Sequence, residues 1–176
     1  MLETDRLILR RWRNSDREPW ARITADPEVM EFFPSVLSKD KSDEFIGRME
    51  AAYEKDGFAF LAAEAKEDGR LIGFIGLLTT TFEAHFTPCV EIGWRLAKAE
   101  WGKGYAVEGA KLCLEHGFKD RGLREIISLT SKLNLKSIRV MQKLGMTTDP
   151  KENFLHPRIE AGHRLSEHVL YRIQNK

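Results

Sequence analysis

Apolar side chains recur along this chain in two rhythms, every second residue over short runs and every third or fourth over longer ones. That mixture predicts strands and amphipathic helices folded together. Residues 7–12 read as a strand, followed by a helix over residues 15–25 with Ser15 or Asp16 at its cap and Pro19 in its first turn. Over residues 41–55, Phe45, Met49, Ala52 and Tyr53 form one stripe at helical spacing, and Gly57 stops the helix. Residues 58–65 and 71–79 flank the turn Lys66-Glu67-Asp68-Gly69-Arg70, a hairpin in which Gly69 supplies a positive φ.

Beyond the hairpin the pattern changes to strand-to-helix units. Residues 91–96 form an apolar strand that runs through Trp101-Gly102-Lys103-Gly104-Tyr105-Ala106 into a helix carrying Val107, Ala110, Leu114, Gly117 and Phe118 on one face. Asp120-Arg121-Gly122 ends it. Residues 125–130 give the next strand, and Asn134 caps a helix that reaches Leu144 and closes at Gly145. Residues 146–149 and 167–173 read as closing strands around an irregular loop containing Pro150 and Pro157. The expectation is an α/β mixed sheet with helices on both faces, in one domain spanning residues 1–176.

The glycine loop carries the strongest chemical signal. Gly102 and Gly104 let the backbone approach a ligand, and the first amides of the following helix point outward with the positive end of its dipole behind them, which suits a pyrophosphate. A nucleoside-triphosphate loop fails because Tyr105 stands where a magnesium-binding hydroxyl is needed. A dinucleotide fingerprint fails too, with Val107 in place of the third glycine and a next strand that ends Ser128-Leu129-Thr130 without an acid. A turn that merely joins strand to helix stays open on the loop alone.

Composition narrows the classes. Charged residues make up 31% and the net charge is +1, so no basic surplus points to nucleic acid. Cys89 and Cys113 lie far apart without a Cys-x-x-Cys partner, which argues against a zinc site or a disulfide framework and for a reducing, cytoplasmic setting. The longest uncharged stretch, residues 71–82, is twelve residues, short of the ~20 that cross a bilayer. The first residues show neither a basic leader nor an apolar signal core. His156, His163 and His168 lack metal-ligand spacing, so no metal is expected; His156 and His163 read as loop-ordering residues and Tyr171 as core.

Three ordered blocks then carry a family resemblance. Glu91-Ile92-Gly93-Trp94, Trp101-Gly102-Lys103-Gly104-Tyr105-Ala106, and Asn134-Leu135-Lys136-Ser137 leading to Lys143-Leu144-Gly145-Met146 resemble the GNAT superfamily of acyl-CoA-dependent N-acetyltransferases. The opening residues 3–10, the loop Asp26-Pro27-Glu28-Val29-Met30 and the tail around His156-Pro157-Arg158-Ile159 resemble its branch containing the ribosomal-protein N-terminal acetyltransferases. The resemblance implies a central, mostly antiparallel sheet in which the strands from Glu91 and Glu125 splay apart to admit acetyl-CoA. It implies main-chain pairing of the pantetheine arm by Trp94, Arg95 and Leu96, as in strand addition, and a primary amine, small molecule or protein N-terminus, as acceptor. Neither nucleic acid nor membrane is an expected partner, and the chain is expected to act as a monomer or homodimer.

Residue chemistry fills in the rest. Lys136, Arg139 and Lys143 gather on one helix face at i, i+3 and i+7, where with Lys103 they could meet a phosphorylated adenosine or simply be solvated. Glu91 points away from the side that carries Val90, Ile92, Trp94 and Leu96, placing it as a base or water relay for an amine whose pKa is about 10.4; a salt bridge to Arg95 is the bland alternative. Many family members place a tyrosine seven residues after the asparagine corresponding to Asn134, where this chain has Met141. Ser137 is the remaining hydroxyl, either a proton donor or a first-turn cap. Of Phe32 and Phe33, one is expected to face the core and the other the substrate. A non-catalytic acyl-CoA-binding module and a nucleotide-binding regulator are the competing readings.

Overall fold

The structure, a computed structural model, describes residues 1–175. The chain runs through strands β1 (Leu2–Glu3) and β2 (Leu7–Arg10), helices α1 (Arg17–Ala25) and α2 (Lys39–Asp56), strands β3 (Phe60–Ala65), β4 (Leu71–Thr80) and β5 (Cys89–Leu96), helix α3 (Tyr105–Lys119), strand β6 (Glu125–Ser131), helix α4 (Leu135–Lys143) and strands β7 (Phe154–Leu155) and β8 (Glu167–Gln174). The strands form one sheet in the order β1-β2-β3-β4-β5-β6-β8-β7. Every neighbouring pair is antiparallel except β5 and β6, which run parallel. The mixed α/β sheet with helices on both faces is thus the fold observed.

Alternation along the strands decides which face each helix covers. Leu7, Leu9, Ile75, Ile92 and Ile126 pack with Ala110, Cys113 and Leu114 of α3 and Met141 of α4. On the opposite face Phe60 and Phe74 meet Trp20 of α1 and Phe45 of α2. The Phe60 and Phe74 rings stack at 4.6 Å and Trp20 lies 5.1 Å from Phe45, so aromatic packing supplies much of that second core. A buried ion cluster pins its rim. The Arg10 guanidinium donates to both oxygens of Asp16, at 2.7 and 2.9 Å, and to Glu64 at 2.6 Å.

That cluster also revises the α1 start. Asp16 stands at the cap, but its carboxylate accepts from the Arg13 amide at 2.7 Å and from Arg10 instead of capping the helix. Helix α2 begins at a Ser38 cap and ends at Gly57 with φ 75°; Gly69, at φ 71°, makes the β3-β4 turn. Residues 146–149 do not form a strand. Only Thr147 bridges to Arg172, because the Asp149 side chain caps a 3-10 turn at Pro150–Glu152 and Pro150 has no amide to donate. The partners of β8 are instead β6 and the short β7.

The feature that positions the site is a single residue pair. Strands β5 and β6 are in register only at Glu91 and Ile127. Past that point the Ser128 hydroxyl donates to the Ile92 carbonyl at 3.0 Å, and the two strands separate. Strand β4 holds β5 from its other side through Leu96, and glycines permit the approach. Gly73 adopts φ 140°, and a Cβ there would lie 2.0 Å from the Arg95 carbonyl oxygen.

We therefore expect Gly73→Ala to destabilise the protein by about 2–4 kcal/mol, through positive-φ strain and collision with β5. Gly47, inside α2 with open space around it, should behave oppositely: Gly47→Ala should stabilise by about 0.5–1 kcal/mol. Urea unfolding of the two variants against wild type measures both signs.

Candidate active site

The separated strands open a cleft of about 780 Å³ that extends across the sheet edge to the loop before α3. Gly102 and Gly104 of that loop have φ of 78° and 88°, and Gly104 is the residue before the first helical turn. The first helical hydrogen bond runs from the Glu108 amide to the Gly104 carbonyl at 3.0 Å. Among the described residues, the amides of residues 102–107 have no hydrogen-bond partner. A Cβ on Gly102 would meet nothing within 4 Å; the space there is open to a ligand, and conformation alone requires glycine.

The loop is braced from outside. The Arg6 guanidinium donates to the Lys103 carbonyl at 3.0 Å and to Glu108 at 2.7 Å, and it lies 4.5 Å above the Tyr105 ring. Thr4 donates to the same Glu108 carboxylate at 2.5 Å; desolvation works to raise that carboxyl, but the Thr4 and Arg6 bonds together hold it below its ordinary range. Glu100, buried, joins Arg70 at 2.9 Å and Lys103 at 3.1 Å. The Lys103 side chain is engaged there and does not line the cleft, whereas Trp101, Gly102, Gly104, Tyr105 and Ala106 do.

On β5, Trp94, Arg95 and Leu96 line the cleft along the edge that faces no strand. Opposite them, the Asn134 side chain accepts from the Ser137 amide at 3.2 Å while its amide group donates to Thr130 Oγ1 at 3.0 Å and Ser137 Oγ at 3.1 Å. Lys136 places its ammonium 4.1 Å over the Trp101 ring. Arg139 and Lys143 are exposed, have no carboxylate in salt-bridge range among the described residues, and line the cleft with Lys136. The structure therefore gathers this basic face beside the glycine loop.

Glu91 lies at the inner end of the cleft. Desolvation pushes its carboxyl up to about 7, with the Thr80 hydroxyl and the Arg158 charge drawing it partly back. It makes no salt bridge with Arg95, whose guanidinium instead lies 3.8 Å over the Phe33 ring. Ser137 accepts from Asn134, so its own hydroxyl proton is uncommitted. Met141, at 1% exposure, is core and has no proton to give. Phe32 and Phe33 both line the cleft and neither joins a core cluster, which corrects the expectation that one would turn inward.

Several lining residues had no local sequence signal. Thr80 and His168 reach the cleft from strand ends, Ser128 from the middle of β6, and His156 and Arg158 from the loop before β8. His156 accepts from the Arg158 amide at 3.2 Å, as a loop-ordering residue does, but its ring also lies tilted 4.9 Å from those of His168 and Phe82. Burial, then His168 and Arg158, push its pKa down to about 4, so it is neutral at neutral pH. His163 accepts from the Leu165 amide at 3.2 Å. Burial raises Cys113 to about 12, and burial with the Glu91 charge raises Cys89 to about 11; neither is a thiolate at neutral pH.

Relatives agree with this geometry. The family model described as an acetyltransferase (GNAT) domain matches residues 6–147. The uncharacterized N-acetyltransferase YnaD of Bacillus subtilis (strain 168) is 30% identical over 173 residues, 98% of this chain and 95% of that protein. The crystal structure of a GNAT-family acetyltransferase from Bacillus anthracis superposes with a TM-score of 0.80 at 26% identity, over 98% of this chain and 97% of that one. Spermidine N-acetyltransferase from Vibrio cholerae, in complex with CoA and spermine, has the same fold at a TM-score of 0.74 and 17% identity, over 97% and 96% of the two chains. The splayed strand pair, the glycine loop and these matches place the chain in the GNAT acetyltransferase family, as an N-acetyltransferase.

Proposed function

We propose that this protein transfers the acetyl group of acetyl-CoA to a primary amine by direct attack. The observation that carries the proposal is the alignment of an open β5 edge, a row of unbonded loop amides and a half-buried carboxyl along one cleft. The residues fit the cosubstrate. Trp94, Arg95 and Leu96 would hold the pantetheine arm by main chain, the amides of residues 102–107 the pyrophosphate, and Lys136, Arg139 and Lys143 the phosphorylated adenosine. The Lys103 side chain, tied to Glu100, would add positive charge without contact, its main-chain amide serving with its neighbours. CoA in the Vibrio cholerae spermidine acetyltransferase supports the assignment by fold.

When bound, acetyl-CoA supplies an acyl carbon activated as a thioester: a nitrogen–carbon bond forms, the carbon–sulfur bond breaks, the amine loses a proton and the thiol gains one. Glu91, ionised above about 7, accepts the proton directly or through water. Ser137, oriented by Asn134, gives its free hydroxyl proton to the sulfur side, where a thiol pKa of about 8.5 makes the help useful without being indispensable. The raised cysteine pKa values favour this over a covalent enzyme intermediate. Phe32 and Phe33 floor the acceptor end. The resemblance to the ribosomal-protein branch favours a protein α-amine as acceptor, with small amines served by the same architecture. The two free cysteines suit a cytoplasmic location. Thiol release from acetyl-CoA across a panel of amines and N-terminal peptides tests the proposal; silence with every amine would contradict it.

Three outcomes follow from the assignments. Gly104→Asp brings a side chain and a negative charge into the anion site, so calorimetry should detect no acetyl-CoA binding by the folded variant. CoA without its 3′-phosphate should bind more weakly than CoA, and affinity for CoA should fall as salt rises, because exposed phosphate contacts are screened. Equal affinities would reduce Lys136, Arg139 and Lys143 to a solvated face.

The third outcome concerns Glu91. Wild-type kcat/KM should rise with pH through about 7, and Glu91→Gln should lose roughly 10²-fold at neutral pH with partial recovery at high pH, where the amine deprotonates unaided. Ser137→Ala should lower turnover with no such recovery. Stability gives an independent reading. The Glu91 pKa is raised on folding from 4.5 to about 7, so its contribution is complete below 4.5 and is lost as pH rises through 7. Glu91→Gln should therefore melt higher, relative to wild type, at pH 8 than at pH 4.

A further inference from the structure

The acceptor half of the cleft holds a cation without a counter-ion. Arg95 shares a face of β5 with Glu91 and Gly93, and its guanidinium is packed over Phe33 at 3.8 Å, Phe74 at 5.6 Å and Trp20 at 5.7 Å. Among the described residues its side chain makes no hydrogen bond or salt bridge, and its Nε is buried with no partner. Arg10, which is buried, shows what a structural arginine has here: two carboxylates, Asp16 and Glu64. Of the acids that line the cleft, Glu28 is engaged by Lys98 at 2.5 Å and Glu100 by Arg70 and Lys103, while Glu91, four residues back along β5, makes no ion pair with Arg95. Arg158, exposed and in no ion pair among the described residues, adds a second positive charge to the same half.

Aromatic faces attract a guanidinium but accept none of its five N–H bonds. The Nε, shut off from solvent, goes unpaired at a cost, while the rest of the guanidinium faces the cleft, where an acceptor group can complete it. Desolvation lowers its pKa to about 10, which leaves it protonated at neutral pH. Four residues of strand separate Arg95 from Glu91, roughly 13 Å, enough for an acceptor to place its amine near the carboxyl while its other end reaches the guanidinium.

We infer that the acceptor amine carries an anionic group, a carboxylate or a phosphate, which the Arg95 guanidinium binds against Phe33, and that the enzyme selects against polyamines. The inference rests on the acetyl-transfer reading above and narrows its substrate class. A bidentate anion satisfies the fork geometry that the rings cannot, and the cationic acceptor half repels a substrate with several positive charges and no negative one.

Thiol release from acetyl-CoA with matched acceptors tests this on the wild-type protein: amino acids and dipeptides against their carboxamides, aminoalkyl phosphates against the corresponding aminoalcohols, and spermidine. The anionic member of one pair should be preferred by about 10- to 100-fold in kcat/KM, with spermidine the poorest acceptor; the pair that shows the preference distinguishes carboxylate from phosphate. Arg95→Gln should bring that ratio close to one, and Arg95→Lys should keep part of it. Thiol release with equal use within both pairs, or best use of spermidine, would overturn this inference and leave acetyl transfer standing. A preference that survives in folded Arg95→Gln would overturn the assignment to Arg95. No thiol release with any amine would overturn the acetyl-transfer reading and this inference with it. Because the wild-type ratio decides the substrate class, a misfolded variant does not shelter the proposal.

Discussion

Strand β5 loses its neighbour after one residue pair, and the rest of the site follows from that loss. Backbone amides and carbonyls inside a fold are almost always paired, so an edge opening in the middle of a sheet is costly unless something else meets it. Here β4 grips β5 along its whole length from the other side. The Ser128 hydroxyl takes the Ile92 carbonyl at the point of divergence, and the Trp101 indole takes the Leu96 carbonyl at 2.9 Å where the strand ends. What stays open between those points is a stretch of main chain suited to a ligand that pairs as a strand does.

Charge is distributed around that opening by burial as much as by residue type. The basic residues of α4 remain exposed and unpaired beside the glycine loop, where a phosphate can find them. The Lys103 side chain lies in the loop itself but is drawn back to Glu100, which also holds Arg70, and so braces the loop from behind. Arg6 does the same from β2's approach, reaching across to Glu108 and the Lys103 carbonyl. At the far end desolvation dominates: it raises Glu91 toward neutrality, where a base is most useful, keeps His156 uncharged, and draws the Arg95 pKa down without discharging it.

Local rules wrote much of this legibly into the chain. Gly69, Gly102, Gly104 and Gly145 all occupy positive φ, since the turns and helix ends they serve need that conformation, and Asn134 caps α4 as its side chain dictates. Strand alternation placed Glu91 and Arg95 on one face. Alternation could not reveal that these two would stay apart, because pairing depends on what aromatic surface lies above each, and Phe33 arrives from a distant loop. The opening between β5 and β6 was implied only by family resemblance, since two apolar strands carry no local mark of how far they remain in register. The same limit hid His156 and His168, which meet across the β7-β8 corner, and misjudged residues 146–149, where Asp149 served a turn that the apolar pattern does not register.

Hydrogen–deuterium exchange with and without saturating acetyl-CoA addresses the central claim, that the open β5 edge and the loop before α3 together form the acyl-CoA seat. Slowed exchange at the amides of residues 102–107 and along residues 94–96, with β1 to β3 unchanged, is the result this account predicts. Protection confined to other segments under saturating acetyl-CoA, or none at either segment, would contradict it.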